Sequence, residues 1–178
     1  MLLTGTMEGE LTLRGGTHYV SRLRPCCAMA VSPRTGGRMP GVHAITGGLG
    51  ALGLRSAEVF IDCDATGVVL TSRSGCVMCG GRGLDLQLAW LSAATSVDVI
   101  ASDVGDALDG VGVLGSTSLA GILHAAGVLR DRLLRSMTDE DLDGAFAPKA
   151  VAASHLHSSA AWAPLDAFGL FSSASATF

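Results

Sequence analysis

Residues 46–53 read Thr46-Gly47-Gly48-Leu49-Gly50-Ala51-Leu52-Gly53, and Gly48, Gly50 and Gly53 stand at a G-x-G-x-x-G spacing. Residues without Cβ let the backbone approach a bulky anion. The first amides of a following helix have no intrahelical acceptor and lie at the positive end of its dipole. Such a turn suits capture of a dinucleotide pyrophosphate. A glycine-rich turn also forms without any ligand, so the setting has to decide. The flanks supply the right one. Val42-His43-Ala44-Ile45-Thr46 is a short apolar run that suits a buried strand, and Leu52, Val59 and Phe60 are spaced to share one helical face. Cofactor contact is therefore expected at Thr46, Gly47, Gly48, Leu49, Gly50 and Gly53.

A second set discriminates between cofactors. The run Gly67-Val68-Val69-Leu70-Thr71 reads as a strand and leads into Ser72-Arg73-Ser74. An acidic residue at this point would bind the ribose 2′-hydroxyl of NAD. Arg73 can instead pair bidentately with a 2′-phosphate, and Ser72 and Ser74 can donate to it, which favours NADPH. The plain alternative is an exposed arginine. Asp103-Val104 follows a third strand, Val97–Ala101. Asp103 can accept a hydrogen bond from an adenine amino group, and a strand-end cap accounts for it as well.

The elements that must position these residues alternate regularly. A weaker helix is expected over Leu84–Ala94, a fourth strand over Leu119–His124 and a fifth over Leu165–Phe171. Thr138 caps a further helix, with Asp141 completing a capping-box pattern and Asp139 and Glu140 in the first turn. Pro148 should break or kink that helix, with a second segment restarting there. The interval Val104–Ser118 holds Gly105, Gly110, Gly112 and Gly115, so its helix is expected to be damaged or absent. Strands alternating with helices imply an α/β fold, a Rossmann-like doubly wound parallel sheet with right-handed crossovers. Residues 1–40, rich in Gly and Pro, read as linker apart from a possible strand over Thr17–Leu23.

Composition narrows the classes. Twelve basic against sixteen acidic side chains leave a net charge of −4, so no face is built for nucleic acid. No apolar stretch reaches the roughly 18 residues of a membrane span. No targeting signal is visible, which makes the cytoplasm the expected compartment. The five cysteines include one C-x-x-C, Cys76–Cys79, without a second pair to complete a zinc site, so no metal is expected. The chain holds one lysine, Lys149, and one tyrosine, Tyr19.

Taken in order, Thr46–Gly53, Thr71–Gly75, Asp103-Val104, His124-Ala125-Ala126-Gly127-Val128-Leu129, Ala147-Pro148-Lys149 and Leu170-Phe171-Ser172-Ser173-Ala174 resemble the ketoreductase domain of a modular polyketide synthase, a branch of the short-chain dehydrogenase/reductases. Fatty acid synthases share much of this pattern. The resemblance covers Gly41–Phe178, and His18-Tyr19-Val20-Ser21-Arg22-Leu23 is similar to the last strand of the structural subdomain that precedes it. It implies two regions: 1–40, linker and end of the preceding subdomain, and 41–178, part of an NADP-binding ketoreductase domain.

The resemblance also implies roles. His124, Ala125, Ala126 and Gly127 run beside the cofactor, Lys149 is the active-site lysine and Ser173 the catalytic serine. The reaction implied is NADPH-dependent reduction of a β-ketoacyl thioester, tethered through phosphopantetheine to an acyl carrier protein, with other synthase domains as neighbours. A serine hydroxyl steadies the developing oxyanion, and a lysine ammonium lowers the pKa of a proton-donating tyrosine. Ser173 could equally end a strand, and Lys149 could be a solvated helix residue. The family's tyrosine follows the serine by about a dozen residues, and only five residues follow Ser173. The sheet is accordingly expected to be incomplete on its C-terminal side, and a non-catalytic nucleotide-binding scaffold stands as the alternative function. Where the family carries Leu-Asp-Asp, this chain has Leu129-Arg130-Asp131.

Overall fold

A computed structural model describes residues 12–20, 37–77, 83–115 and 118–173. The chain divides into two units, Met1–Arg34 with Ser172–Phe178, and Thr35–Phe171. In the smaller unit β1 (Thr12–Arg14) and β2 (Thr17–Tyr19) pair antiparallel, Thr12 opposite Tyr19. Gly15 and Gly16 join them with φ of 54° and 79°, the doubly positive turn that matches strand twist in a two-residue hairpin. The strand expected over Thr17–Leu23 thus ends at Tyr19, and residues 21–23 lie outside the described residues.

The larger unit holds a five-stranded sheet of β3 (Val42–Thr46), β4 (Gly67–Ser72), β5 (Ser96–Ala101), β6 (Leu119–His124) and β7 (Ala167–Leu170). All pairs are parallel and the order is β5-β4-β3-β6-β7. The chain therefore steps outward from β3 in one direction, crosses back, and steps outward in the other. The crevice at such a reversal, beyond the C-terminal strand ends, is where doubly wound sheets bind ligands. Register brings those ends level: Thr46 pairs with Thr71 on one side and with His124 on the other.

Helices cover both faces. On one, Ile45, Val68 and Leu70 pack against Leu54 and Ala57 of α1 (Ala51–Asp62) and Leu91 of α2 (Leu84–Ala94). On the other, Ala44, Val69 and Ile122 meet Val113 of α3 (Ala107–Gly115), while Val104 packs on Ala152 and Leu156 of α5 (Ala152–Ala160). Between these, α4 (Asp139–Phe146) starts with the expected capping box. Thr138 Oγ1 accepts from the Asp141 amide at 3.2 Å, and Asp141 Oδ2 accepts from the Thr138 amide at 3.3 Å.

Four expectations need correction. The inward face of α1 is Gly53, Leu54 and Ala57, with Phe60 and Ile61 packed beside them; Leu52 and Val59 are half-exposed. Gly53 sets this rotation, because a Cβ there would lie 2.5 Å from the Gly47 carbonyl oxygen and 2.5 Å from the Gly48 Cα. The helix α3 forms despite Gly110, Gly112 and Gly115, since burial of Val113 offsets their weak propensity. The fifth strand is shorter than expected, Ala167–Leu170. Pro148 does stand in the first turn of a new segment after α4 ends, as expected, but the path is not broken there. It lies in a π-helical turn, Ala147–Val151, that joins α4 to α5 without leaving helical dihedrals. A proline that cannot donate to the preceding turn is accommodated by widening the helix by one residue.

Candidate active site

Two cavities of about 120 and 400 Å³ open at the reversal of strand order and share Gly47, Ser72, Ala126 and Gly127. They form one groove across the C-terminal ends of β3, β4 and β6. The larger part is floored by Leu49 and Gly50 and the first residues of α1, with Ser74, Cys76 and Ala125 around it. No side chain caps α1, and its first turn carries no acidic residue. A helix N-terminus left in this state favours an anion. The glycines make the approach possible. Gly47 has φ of 68°, and a Cβ on it would lie 2.7 Å from the Ala126 Cα, so only glycine lets the turn sit against the segment after β6.

The smaller part is lined by Arg73, Asp103, Val104 and Pro148, among others. Arg73 is exposed and follows directly on β4. The neighbouring serines build the turn that carries it. Ser72 Oγ accepts from the Gly75 amide at 3.1 Å, and Ser74 Oγ donates to the Cys76 carbonyl at 3.0 Å. Asp103 serves its own loop: its Oδ1 accepts from the Gly105 amide at 3.0 Å, while its amide donates to Asp109 Oδ2 at 2.8 Å. The Lys149 side chain runs past Gly127, where a Cβ would fall 2.9 Å from the lysine Cε.

Three of the expected cofactor residues do not line the groove. Thr46 is fully buried and its hydroxyl is bonded to His124 Nδ1 at 2.6 Å. Gly48 donates its amide to the Thr71 carbonyl at 2.9 Å and lies against Leu70. His124 is buried, its Nε2 bonded to the Lys149 carbonyl at 3.2 Å. These residues build the frame beneath the groove. Burial holds the His124 imidazole below its ordinary range, against the smaller upward pull of the Lys149 and Pro148 carbonyls. Ser173 is exposed and falls in the smaller unit. In the smaller part sequence reasoning missed Thr71, Ser102, Val128 and Pro148 as lining residues. Ser102 was findable, since it directly precedes Asp103 at a strand end.

Among the described residues no group of three His, Cys, Asp or Glu side chains could hold a metal ion, and Cys79 lies outside them. Among the same residues no helix is long and apolar enough to cross a membrane.

A polyketide synthase of Streptomyces halstedii, GfsA, is 39% identical over 176 residues, 96% of this chain and 2% of that protein. A mycocerosic acid synthase-like polyketide synthase of Mycobacterium tuberculosis is 39% identical over 141 residues, 78% of this chain and 7% of its own length. The chain thus spans a small fraction of the relatives it matches. Among solved structures, the first ketoreductase of the tylosin polyketide synthase superposes with a TM-score of 0.70 at 29% identity, covering 79% of this chain and 31% of that one. A-type ketoreductases from a modular polyketide synthase give 0.70 at 30% identity, covering 96% and 37%. A short-chain dehydrogenase/reductase from Brucella melitensis, 21% identical with a TM-score of 0.63, covers 76% of this chain and 57% of its own and shares the fold. The KR domain family matches residues 41–178, the whole stretch that builds the sheet and the groove. A glycine turn at the strand reversal, one lysine beside it and these relatives agree: the chain belongs to the KR domain family, the ketoreductases of modular polyketide synthases.

Proposed function

We propose that the groove binds NADPH and that the chain serves in reduction of a β-ketoacyl thioester carried on an acyl carrier protein, alongside the other domains of a synthase. The observation that carries this reading is the uncapped N-terminus of α1 opening into a groove that ends at Arg73. NADPH bound there would supply the hydride. The amides of the first turn of α1 would hold its pyrophosphate, and the Arg73 guanidinium its 2′-phosphate. Lys149 would hold ribose hydroxyls and lower the pKa of a tyrosine, and Ser173 would donate a hydrogen bond to the substrate carbonyl oxygen.

Fluorescence titration of the chain with NADPH and with NADH tests the reading. Uptake of NADPH in preference to NADH is expected. The change Arg73→Ala should weaken NADPH binding by roughly ten- to a hundredfold, the loss of a charge-assisted pair, and leave NADH unchanged. No uptake of either nucleotide overturns it. The alternative, a second reading, is nucleotide binding without reduction. In a polypeptide that supplies a tyrosine beyond Ser173, turnover of a β-ketoacyl thioester that falls sharply in Lys149→Ala and Ser173→Ala supports reduction. Cofactor uptake with no turnover supports the second reading.

A further inference from the structure

His124 is the last residue of β6 and is 4% exposed. Both of its ring nitrogens are engaged: Nδ1 lies 2.6 Å from Thr46 Oγ1, and Nε2 lies 3.2 Å from the Lys149 carbonyl oxygen. A carbonyl oxygen only accepts, so Nε2 carries the proton. In the neutral ring Nδ1 is then an acceptor, and the Thr46 hydroxyl donates to it. Three points far apart in sequence are tied in one line. Thr46 ends β3 at the glycine turn, and Thr46 and His124 are paired across the sheet. Lys149 sits in the middle of the π-helical turn.

The π turn and the imidazole belong together. Widening of the helix at Pro148 alters which carbonyls are taken up inside it. The Lys149 carbonyl accepts from the Ala152 amide and from His124 as well, which its two lone pairs allow. The side chain of the same lysine runs past Gly127, three residues after His124. The end of β6 and the residues just after it therefore hold the lysine's backbone through His124 and make room for its side chain at Gly127.

We infer that His124 is a positioning residue for Lys149, transmitting the place of β3 and its glycine turn to the only ammonium side chain in the molecule. The geometry stands by itself; its consequence for cofactor binding rests on the function proposed above.

The test exploits the single lysine. A chain labelled with 13C at the lysine Cε gives one such resonance, and 15N-histidine labelling reports each ring tautomer, His124 being assigned by its loss in His124→Gln. The expected results are an Nε2–H tautomer for His124, a shifted lysine resonance in His124→Ala, and recovery toward wild type in His124→Gln, whose amide can donate to the Lys149 carbonyl. An Nδ1–H tautomer overturns the inference, as does an unmoved lysine resonance in a His124→Ala variant that still melts cooperatively. Should His124→Ala fail to fold, the tautomer and the His124→Gln resonance decide. A cycle with NADPH adds a readout that a merely structural role would not produce. His124→Ala should weaken binding about tenfold alone and less than about twofold in a Lys149→Ala background. Equal losses in both backgrounds refute positioning. If the wild-type chain takes up no NADPH, the proposed function falls, while the tautomer and the lysine resonance still decide this inference.

Discussion

Replacing Gly53 by alanine tests whether one missing methyl group seats α1 on the sheet. The added Cβ would stand 2.5 Å from the Gly47 carbonyl oxygen, 2.5 Å from the Gly48 Cα and 2.7 Å from the Gly48 carbonyl carbon. Carbon atoms in contact prefer about 3.5–4.0 Å, so the helix must retreat by about 1 Å. Every obstructing atom is backbone, and Gly48 is itself anchored to Thr71. No side chain can swing away. Overpacking of this kind costs about 1–3 kcal/mol. In a protein of this size that lowers Tm by roughly 3–9 °C. Gly112 in α3 is the control. A Cβ there meets nothing within 4 Å, so alanine should stabilise by about 0.5–1 kcal/mol through helix propensity. Thermal unfolding followed by far-ultraviolet circular dichroism reads both variants. A Gly53→Ala protein that melts at or above wild type would refute the reasoning. So would one indistinguishable from Gly112→Ala, because opposite signs are required by the two surroundings.

Three further outcomes follow from the same structure. Leu91 is the one buried residue of α2 and is 0% exposed, whereas Leu86 in the same helix is 77% exposed; urea unfolding should show a loss of about 2–5 kcal/mol for Leu91→Ala and less than about 0.5 kcal/mol for Leu86→Ala. Thr138→Ala removes one half of the capping box and should cost about 1 kcal/mol, with faster hydrogen exchange at the Asp141 amide. His124 contributes a pH dependence above the carboxylate range. Because burial holds its folded pKa below the ordinary 6.5, the unfolded chain binds the proton first, so stability is undiminished above about pH 6.5 and declines as pH falls from there through the folded value; unfolding measured between about pH 7.5 and pH 5 should show this slope flattened in His124→Gln.

Much of the fold was legible because its signals are local. The limits of α2 follow from turn residues at either end, and β3 and β6 follow from short apolar runs closed by glycines or by a change of composition. The capping box of α4 is a four-residue pattern that needs no tertiary partner to be recognised. The groove was legible for a related reason: in a doubly wound sheet the binding crevice lies at the strand reversal, and the glycine turn marks the strand that makes it.

Contacts between distant segments decided the rest. The spacing of Leu52, Val59 and Phe60 defines a face of α1, but the contact of Gly53 with the turn behind it determines which face looks inward. Glycine content argues against α3, and burial of Val113 against the far side of the sheet overrides it. Thr46, Gly48 and His124 are residue types suited to touching a cofactor. Strand register, pairing positions 78 residues apart, turned Thr46 and His124 toward each other, and β4 took the Gly48 amide. A side chain's chemistry is written in its type, but its partner depends on where folding brings the second half of each pair, and only the assembled sheet contains that information.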